Sequence, residues 1–600
     1  MKEPRMHLSD TRNLGRRKVD TKFVIVNLLR YLKPWLPLFI LLFLANIASV
    51  VLSLIGPRIS GDAIDLIKLD GSTDMNKIYF YCALLAGIYI LSGVLSYMST
   101  IGMAYVARKV GCKMREDTFA RLISLPVSYF DSRQAGDIIS VLSYDIDTVG
   151  ESLANDVVLV INSVVMIVGS FIMMLTISPI LVLVFVVTIP ISVLITRFIA
   201  KRVQPLFRRR SAKLGELNGF VEEMIAGQKT TKAYGCEEVI IDKFEVKNSE
   251  AVDAYAKAEY LSTMTGPTNN FMNNLALTLI SVFGALMYMY SFAGITRVGQ
   301  IASFVLYSRK FSGPINEIAN VFGEFQSAIA AAERVFRVLE EVPEPPDSEG
   351  AIVPANIRGD VDIEHLAFSY IKGREVIHDF SLSAKKGQLI AIVGRTGAGK
   401  TTIINLLMRF YDPDSGTIKI DGTDISLYTR SGLRSCFTMV LQDTWLFAGT
   451  VFENIAYGKE NATREEVERV CKAAKIHSFI TRLPQGYDTY LADNAVNISK
   501  GQKQLLTIAR AMLLDSPMLI LDEATSNVDT RTEHIIQQAM TKLMEGRTCF
   551  VIAHRLSTIR GADKILVMDG GDVVEQGTHS QLLAAKGMYY KLYKSQFESY

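Results

Sequence analysis

Residues 389–410 read LIAIVGRTGAGKTTIINLLMRF. An apolar, strand-like LIAIV enters a glycine-rich turn, and a helical pattern leaves it, which is the setting a phosphate-binding loop requires. Gly394, Gly397 and Gly399 let backbone N–H groups turn inward around phosphate oxygens. Lys400 brings a point charge to the β- and γ-phosphates and Thr401 a hydroxyl for Mg2+, while the helix start adds its positive dipole end. The expected nucleotide cradle is Gly394, Arg395, Thr396, Gly397, Ala398, Gly399, Lys400, Thr401 and Thr402.

About 120 residues further on, MLILDEATSNVD (518–529) ends an apolar strand on two acids. In a P-loop protein the first, Asp522, organises Mg2+, and the second, Glu523, polarises the attacking water. A pair of loop acids is ordinarily just solvated, so this reading depends on the P-loop upstream.

Six hundred residues exceed what one hydrophobic core usually serves, so at least two domains are expected. The net charge of +3 gives no ground for nucleic-acid binding. No secretory leader is expected in the basic opening MKEPRMHLSDTRNLGRRKVDTK, and the six cysteines, without CxxC spacing, support neither a disulfide framework nor a zinc site.

The half before the P-loop is different. Apolar runs near 36–56, 79–103, 156–176, 179–199, 270–292 and 299–322 are long enough for bilayer spans of about 20 residues. Asn269, Asn270, Asn273 and Asn274 dilute the fifth, and Arg309 and Lys310 interrupt the sixth. Basic residues precede the first span (Arg12, Arg16, Arg17, Lys18, Lys22) and follow the fourth (Lys201, Arg202, Arg208, Arg209, Arg210), which places both segments and both termini in the cytoplasm of a cell-membrane protein. The second and third spans lie about 50 residues apart, as do the fourth and fifth, with little Gly or Pro. These stretches read as helical stalks reaching on the order of 35–40 Å, turning near Pro126–Asp137 and Thr231–Glu238, and the soluble half is the candidate for them to dock on. The expected divisions are a cytoplasmic segment 1–23, a membrane domain 24–335, a linker 336–360 containing VPEPPDSEG, and a nucleotide-binding domain 361–600.

Together these motifs resemble an ABC transporter of the exporter type, over nearly the whole chain from about residue 24. The fold this implies is an all-α six-helix membrane domain followed by an α/β P-loop ATPase domain, using ATP and Mg2+. By that resemblance Tyr370 in FSY stacks on adenine, Gln442 in VLQDTWLF touches Mg2+ and water, and His554 in FVIAHRLST contacts the γ-phosphate. Asp529 resembles the aspartate that couples two sites across a dimer; a helix cap is its plainer reading.

Such domains work in pairs, each ATP lying between one chain's P-loop and the other's LSGGQ signature. Here the signature reads Ile498-Ser499-Lys500-Gly501-Gln502, with lysine in place of the first glycine. That exchange removes a residue tolerant of positive φ and adds a long cation. The preceding TYLADNAVN departs from the family pattern too. With this chain's own P-loop, Asp522, Glu523, Gln442 and His554 intact, the asymmetry implies a heterodimer in which Lys500 faces ATP held by a different half-subunit; a homodimer with a variant signature is the alternative.

The membrane half is rich in Met, Phe and small residues, and Met166, Met173, Met174, Met287 and Met289 are candidates to line an adaptable apolar cavity, though such residues more often face lipid. The leading expectation is ATP-driven export of amphipathic, multidrug-type compounds. A lipid or lipid-linked precursor flippase, a peptide exporter and an ATP-gated channel are the competing readings, and intact Glu523 and His554 weigh against the last.

Overall fold

The computed structural model describes residues 21–67, 74–290, 295–441, 444–491, 498–522, 529–553 and 556–597. They form two compact units. One is helical and comprises residues up to Leu122 together with Ile138–Glu340; the other comprises Ile123–Asp137 and the chain from Glu341 onward.

The helical unit contains α1 (Thr21–Leu32), α2 (Leu36–Ile64), α3 (Met75–Ile123), α4 (Val157–Ile177), α5 (Pro179–Ala226), α6 (Glu237–Thr263), α7 (Thr265–Met289) and α8 (Val298–Glu340). Among the described residues, five helical stretches are long and apolar enough to cross a bilayer. The sixth expected span lies in α8, which is 43 residues long, but Arg309 and Lys310 divide its apolar run. Lys310 Nζ donates to Ser53 Oγ on α2 (3.4 Å), so the charge has a polar neighbour within the unit.

Polar contacts join these helices, as expected where lipid offers no hydrophobic drive for one helix to seek another. Asn46 Nδ2 donates to Asn162 Oδ1 across α2 and α4 (2.5 Å), and Ser303 Oγ and Tyr307 Oη donate to the Pro57 and Leu54 carbonyls (2.9 and 2.6 Å). Near the end of α2, Asp65 Oδ1 accepts the Gly299 N–H (2.6 Å), and a Cβ on Gly299 would collide with the Gly61 carbonyl, so the two backbones meet where only glycine fits. At the other end of α8, Arg334 grips the buried Asp145 with two bonds (2.8 and 2.5 Å).

The second unit holds a six-stranded sheet. The strands are β1 (Val361–Phe368), β2 (Ile377–Ala384), β3 (Leu389–Gly394), β4 (Ser415–Ile420), β5 (Phe437–Val440), β6 (Met518–Asp522), β7 (Thr548–Ile552), β8 (Lys564–Asp569) and β9 (Asp572–Gly577). In space the large sheet runs β9-β8-β3-β7-β6-β5, parallel from β8 to β5, with β9 antiparallel at the edge. β2, β1 and β4, followed by a two-residue strand at Thr423–Asp424, form a separate four-stranded antiparallel sheet. Residues of β3, β6, β7 and β8 are almost wholly buried, which explains their unbroken apolar runs.

Candidate functional site

In open parallel sheets, ligands bind beyond the carboxyl ends of the strands. Here the register pairs Ile552 with both Ile392 and Asp522, and Val440 with Leu521. β3, β7, β6 and β5 therefore end side by side. β3 runs into the P-loop and β6 ends on Asp522; in sequence, Gln442, Glu523 and His554 follow the last residues of β5, β6 and β7 by one or two positions. Asp522 is described; Gln442, Glu523 and His554 lie outside the described residues.

The P-loop joins β3 to α9 (Lys400–Leu407). Its glycines have separate reasons. A Cβ on Gly394 would strike the Met568 carbonyl, and one on Gly399 (φ +95°) would lie 2.7 Å from Ile377 Cδ1, so both are walled by neighbouring chain. Gly397 (φ +84°) has no atom within 4 Å of its Cβ position, so there the backbone lines open space. Arg395, Thr396 and Gly397 are exposed, and Ala398 and Gly399 buried. Such a lip of exposed backbone over a buried helix start fits a polyphosphate.

Lys400 Nζ donates to the carbonyls of Gly394 (2.8 Å) and Arg395 (2.9 Å), holding the loop closed around its amine. Burial lowers the ammonium below its ordinary range, while the Asp522 carboxylate opposes that shift. Thr401 is exposed at the first turn; Thr402 is buried beneath it and accepts a hydrogen bond from Tyr370 Oη (3.3 Å). Asn405 Nδ2 also donates to that phenol (3.3 Å), so Tyr370 is tied to the P-loop helix.

The signature opens α10 (Lys500–Leu514). Ser499 Oγ accepts the Gln502 N–H (3.3 Å) and Gln502 Oε1 the Ser499 N–H (2.9 Å), a reciprocal cap on the helix start. Lys500 is exposed and Gly501 buried. Lys500 stands within the helix and is not among the residues with positive φ, so its backbone has no need of glycine's freedom; the exchange alters surface chemistry alone. Asp529 caps α11 (Thr530–Met544) by accepting the Thr532 N–H (3.0 Å), and that bond holds its carboxyl below the ordinary range.

Two residues in this region carry no sequence signal of their own. Arg510, on α10, donates to the Asn454 carbonyl (2.7 Å), Asn454 Oδ1 (3.2 Å) and the Trp445 carbonyl (3.2 Å). Asn454 in turn bonds both the N–H and the carbonyl of Phe447 (2.8 and 2.9 Å). The signature helix is thereby fastened to the stretch just beyond Gln442. Nothing in the sequence pairs Asn454 with Arg510.

The helices and the nucleotide cradle define an ATP-hydrolysing membrane transporter. Residues 39–315 match the ABC transporter transmembrane region and 377–526 the ABC transporter family. The chain is 42% identical, over 96% of its length and 95% of the other's, to the uncharacterized ABC transporter ATP-binding protein YfiC of Bacillus subtilis (strain 168). It is 42% identical to a fatty acid ABC transporter ATP-binding/permease protein of Mycobacterium bovis, over 85% of this chain and 80% of that one. Identity to an ATP-dependent lipid A-core flippase of Salmonella typhimurium is 36%, over 88% and 90%. A solved bacterial Atm1-family ABC exporter with ATP bound superposes with TM-score 0.73 at 29% identity, over 94% of this chain and 98% of that one. The chain belongs to the ABC transporter family, as an exporter with its membrane and ATPase regions on one polypeptide.

Proposed function

We propose that this chain is one half of a dimeric exporter that uses ATP to move acyl-chain-bearing, anionic amphiphiles across or out of the cell membrane. The observation that carries this reading is a cavity of about 360 Å³ between α5, α7 and α8. Its walls include Phe185, Ile189, Val193, Met272 and Ile315, and its polar groups include Arg197, Asn269 and Asn273. A volume in the range of small-molecule sites, mostly apolar and with Arg197 as its cation among the described residues, suits a hydrocarbon tail and an acidic head. The cargoes for which the fatty acid transporter and the lipid A-core flippase are named agree with a lipid-type cargo, so the flippase reading is preferred over a multidrug one.

In the ATPase cycle, the backbone from Gly394 to Thr402 and the Lys400 ammonium hold the phosphates, and Tyr370 packs on the base. Thr401, Asp522 and Gln442 would hold Mg2+, which when bound neutralises phosphate charge. Glu523 takes up a proton from the attacking water and His554 contacts the γ-phosphate. Ser499, Lys500, Gly501 and Gln502 face the nucleotide of the partner chain, and Asp529 couples the two sites. The exposed Lys500 favours a partner of different sequence, and both termini lie in the cytoplasm.

Reconstitution tests the cargo. In vesicles, ATP should drive net transbilayer movement of a fluorescent fatty acid or anionic lipid, Arg197→Ala should slow it several-fold, and Glu523→Gln should bind ATP but stop turnover. Stimulation of ATPase activity by neutral or cationic drugs alone would overturn the lipid reading. Purification from the native membrane tests the pairing: a second, different half-subunit is expected, and a homodimer with cargo-stimulated ATPase activity would exclude it.

A further inference from the structure

A threonine within a helix commonly donates its hydroxyl proton to the carbonyl four residues back. Thr118, Thr268 and Thr278 do so here, at 2.7–2.8 Å. Thr402 does not. The residue four back from it is Ala398, in the phosphate loop and outside α9, and among the described residues no carbonyl takes the Thr402 proton. Its oxygen instead accepts from Tyr370 Oη (3.3 Å), and that phenol accepts from Asn405 Nδ2 (3.3 Å). Thr402 and Asn405, three residues apart, share one face of α9, and Tyr370 bridges them. Each link settles the direction of the next. An amide NH2 can only donate, so Asn405 occupies a lone pair of the phenol; the phenol proton goes to Thr402, and the Thr402 proton is left to donate outward. The Tyr370 ring is held edge-on by Phe368 (centroids 4.8 Å, 84°) and by Tyr411 (5.0 Å, 88°), whose own hydroxyl donates to Asp131 Oδ2 (2.6 Å).

We propose that Asn405 is a positioning residue which, through the Tyr370 hydroxyl, holds the Thr402 proton toward the α-phosphate of the bound nucleotide. The relay rests on the reading of Gly394–Thr402 as the phosphate cradle and of Tyr370 as the base contact. Helical side chains tilt toward the helix N-terminus, which carries the Thr402 hydroxyl toward the phosphate end of the loop. Tyr370 takes the base and Lys400 the β- and γ-phosphates. A hydroxyl bonded to the first and two residues from the second meets the phosphate that lies between them. A chain of hydrogen bonds polarises its members, so the donor at its end is stronger than an isolated hydroxyl. Both bonds are longer than the usual range, and bonds of this kind tighten when the ligand arrives. Tyr370 thus has two separable parts, a ring for the base and a hydroxyl for the phosphate.

The probe is ADPαS, in which sulfur replaces one of the two non-bridging α-oxygens and the Sp and Rp isomers differ in which oxygen remains. Binding constants of both isomers are measured with the full chain in lipid nanodiscs. Sulfur is the poorer acceptor, so the isomer that turns it toward Thr402 should bind less tightly. Thr402→Val should shrink the ratio of the two constants about 3- to 10-fold. Tyr370→Phe keeps the ring and loses only the hydroxyl, and Asn405→Leu keeps much of the volume and loses the donor. Each should shrink the same ratio about 3-fold. Thr402→Ser retains a hydroxyl and should retain both the ratio and its dependence on Tyr370. In the Thr402→Val background neither Tyr370→Phe nor Asn405→Leu should move the ratio further, since all three act through one proton. Lost packing alone would weaken both isomers equally, and an unchanged ratio in Tyr370→Phe and Asn405→Leu would overturn the relay. So would an effect of either that persists in the Thr402→Val background. Tight ADP binding by the wild type with a ratio untouched by Thr402→Val would overturn it while leaving the nucleotide site standing. If Lys400→Ala binds ADP as the wild type does, the phosphate-cradle reading fails, and the relay with it.

Discussion

Lys500 occupies the first position of a capped helix, exposed, with ordinary helical backbone. The neighbouring Ser499–Gln502 pair already supplies what the helix start requires, so the lysine is free to be chosen for what it meets outside the chain. Lys500→Gly should therefore lower stability by less than about 1 kcal/mol, the ordinary cost of glycine in a helix, as read by thermal unfolding. ATP turnover of the assembled dimer should change far more than that. A large fall in Tm with unaltered turnover would make Lys500 a packing residue instead. The motif residues were legible from sequence because each depends on neighbours a few positions away: Gly397 and Lys400 in one turn, Ser499 and Gln502 in another. Asp131 and Tyr411 gave no such sign, being an unremarked acid and a tyrosine whose meaning lies in a contact 280 residues long.

At the level of elements, β3, β5, β6 and β7 end side by side, where the proposed chemistry would gather, and α10 carries the signature half of the proposed composite site. Its anchor is Arg510, mostly buried, with its pKa lowered by that burial and with three oxygen partners on the 445–454 stretch. Replacing it by methionine preserves much of the volume but leaves the Asn454 and Trp445 carbonyls without this donor. Arg510→Met should cost about 2 kcal/mol, measured by denaturant unfolding of the full chain, and should raise KM for ATP in the dimer more than it changes nucleotide affinity of the isolated chain. The apolar strands and long helices were readable because burial and bilayer thickness impose a period or a length. α8 was the difficult one, since Arg309 and Lys310 break its run, and only the pairing of Lys310 with Ser53 shows how a charge is accommodated there.

Across the whole molecule, the ATPase unit is assembled from two stretches that are distant in sequence. Besides Tyr411–Asp131, the Glu344 N–H donates to the Ser124 carbonyl (2.8 Å), and Arg133 pairs with Glu341 (2.7 Å) with both side chains about one-fifth to one-quarter exposed (24% and 20%). Arg133 also lies over the Tyr129 ring (3.9 Å). Arg133→Glu should loosen the 123–137 segment, seen as faster limited proteolysis there, and Glu341→Arg in the same chain should restore most of the protection. Equal proteolysis in single and double variants would assign the segment's hold to the other contacts. The division into a membrane half and a soluble half was plain from composition, and the length of the stalks called for a docking of their turns on the soluble half; the contacts by which residues 123–137 join it were not legible, because nothing local marks them.

That joining imposes an order on biosynthesis. Asp131 leaves the ribosome 280 residues before Tyr411, an interval of roughly 14–56 s at 5–20 residues per second. For that time the 123–137 segment waits without Glu341, Glu344 and Tyr411, the residues that will hold it, and β3, β5, β6 and β7 cannot close into one sheet before residues 548–552 arrive. Translation speed between α4 and β3 is thus a variable this exporter must tolerate, and the segment's exposure to chaperones or proteases during the pause is where a slow-translating variant should first fail.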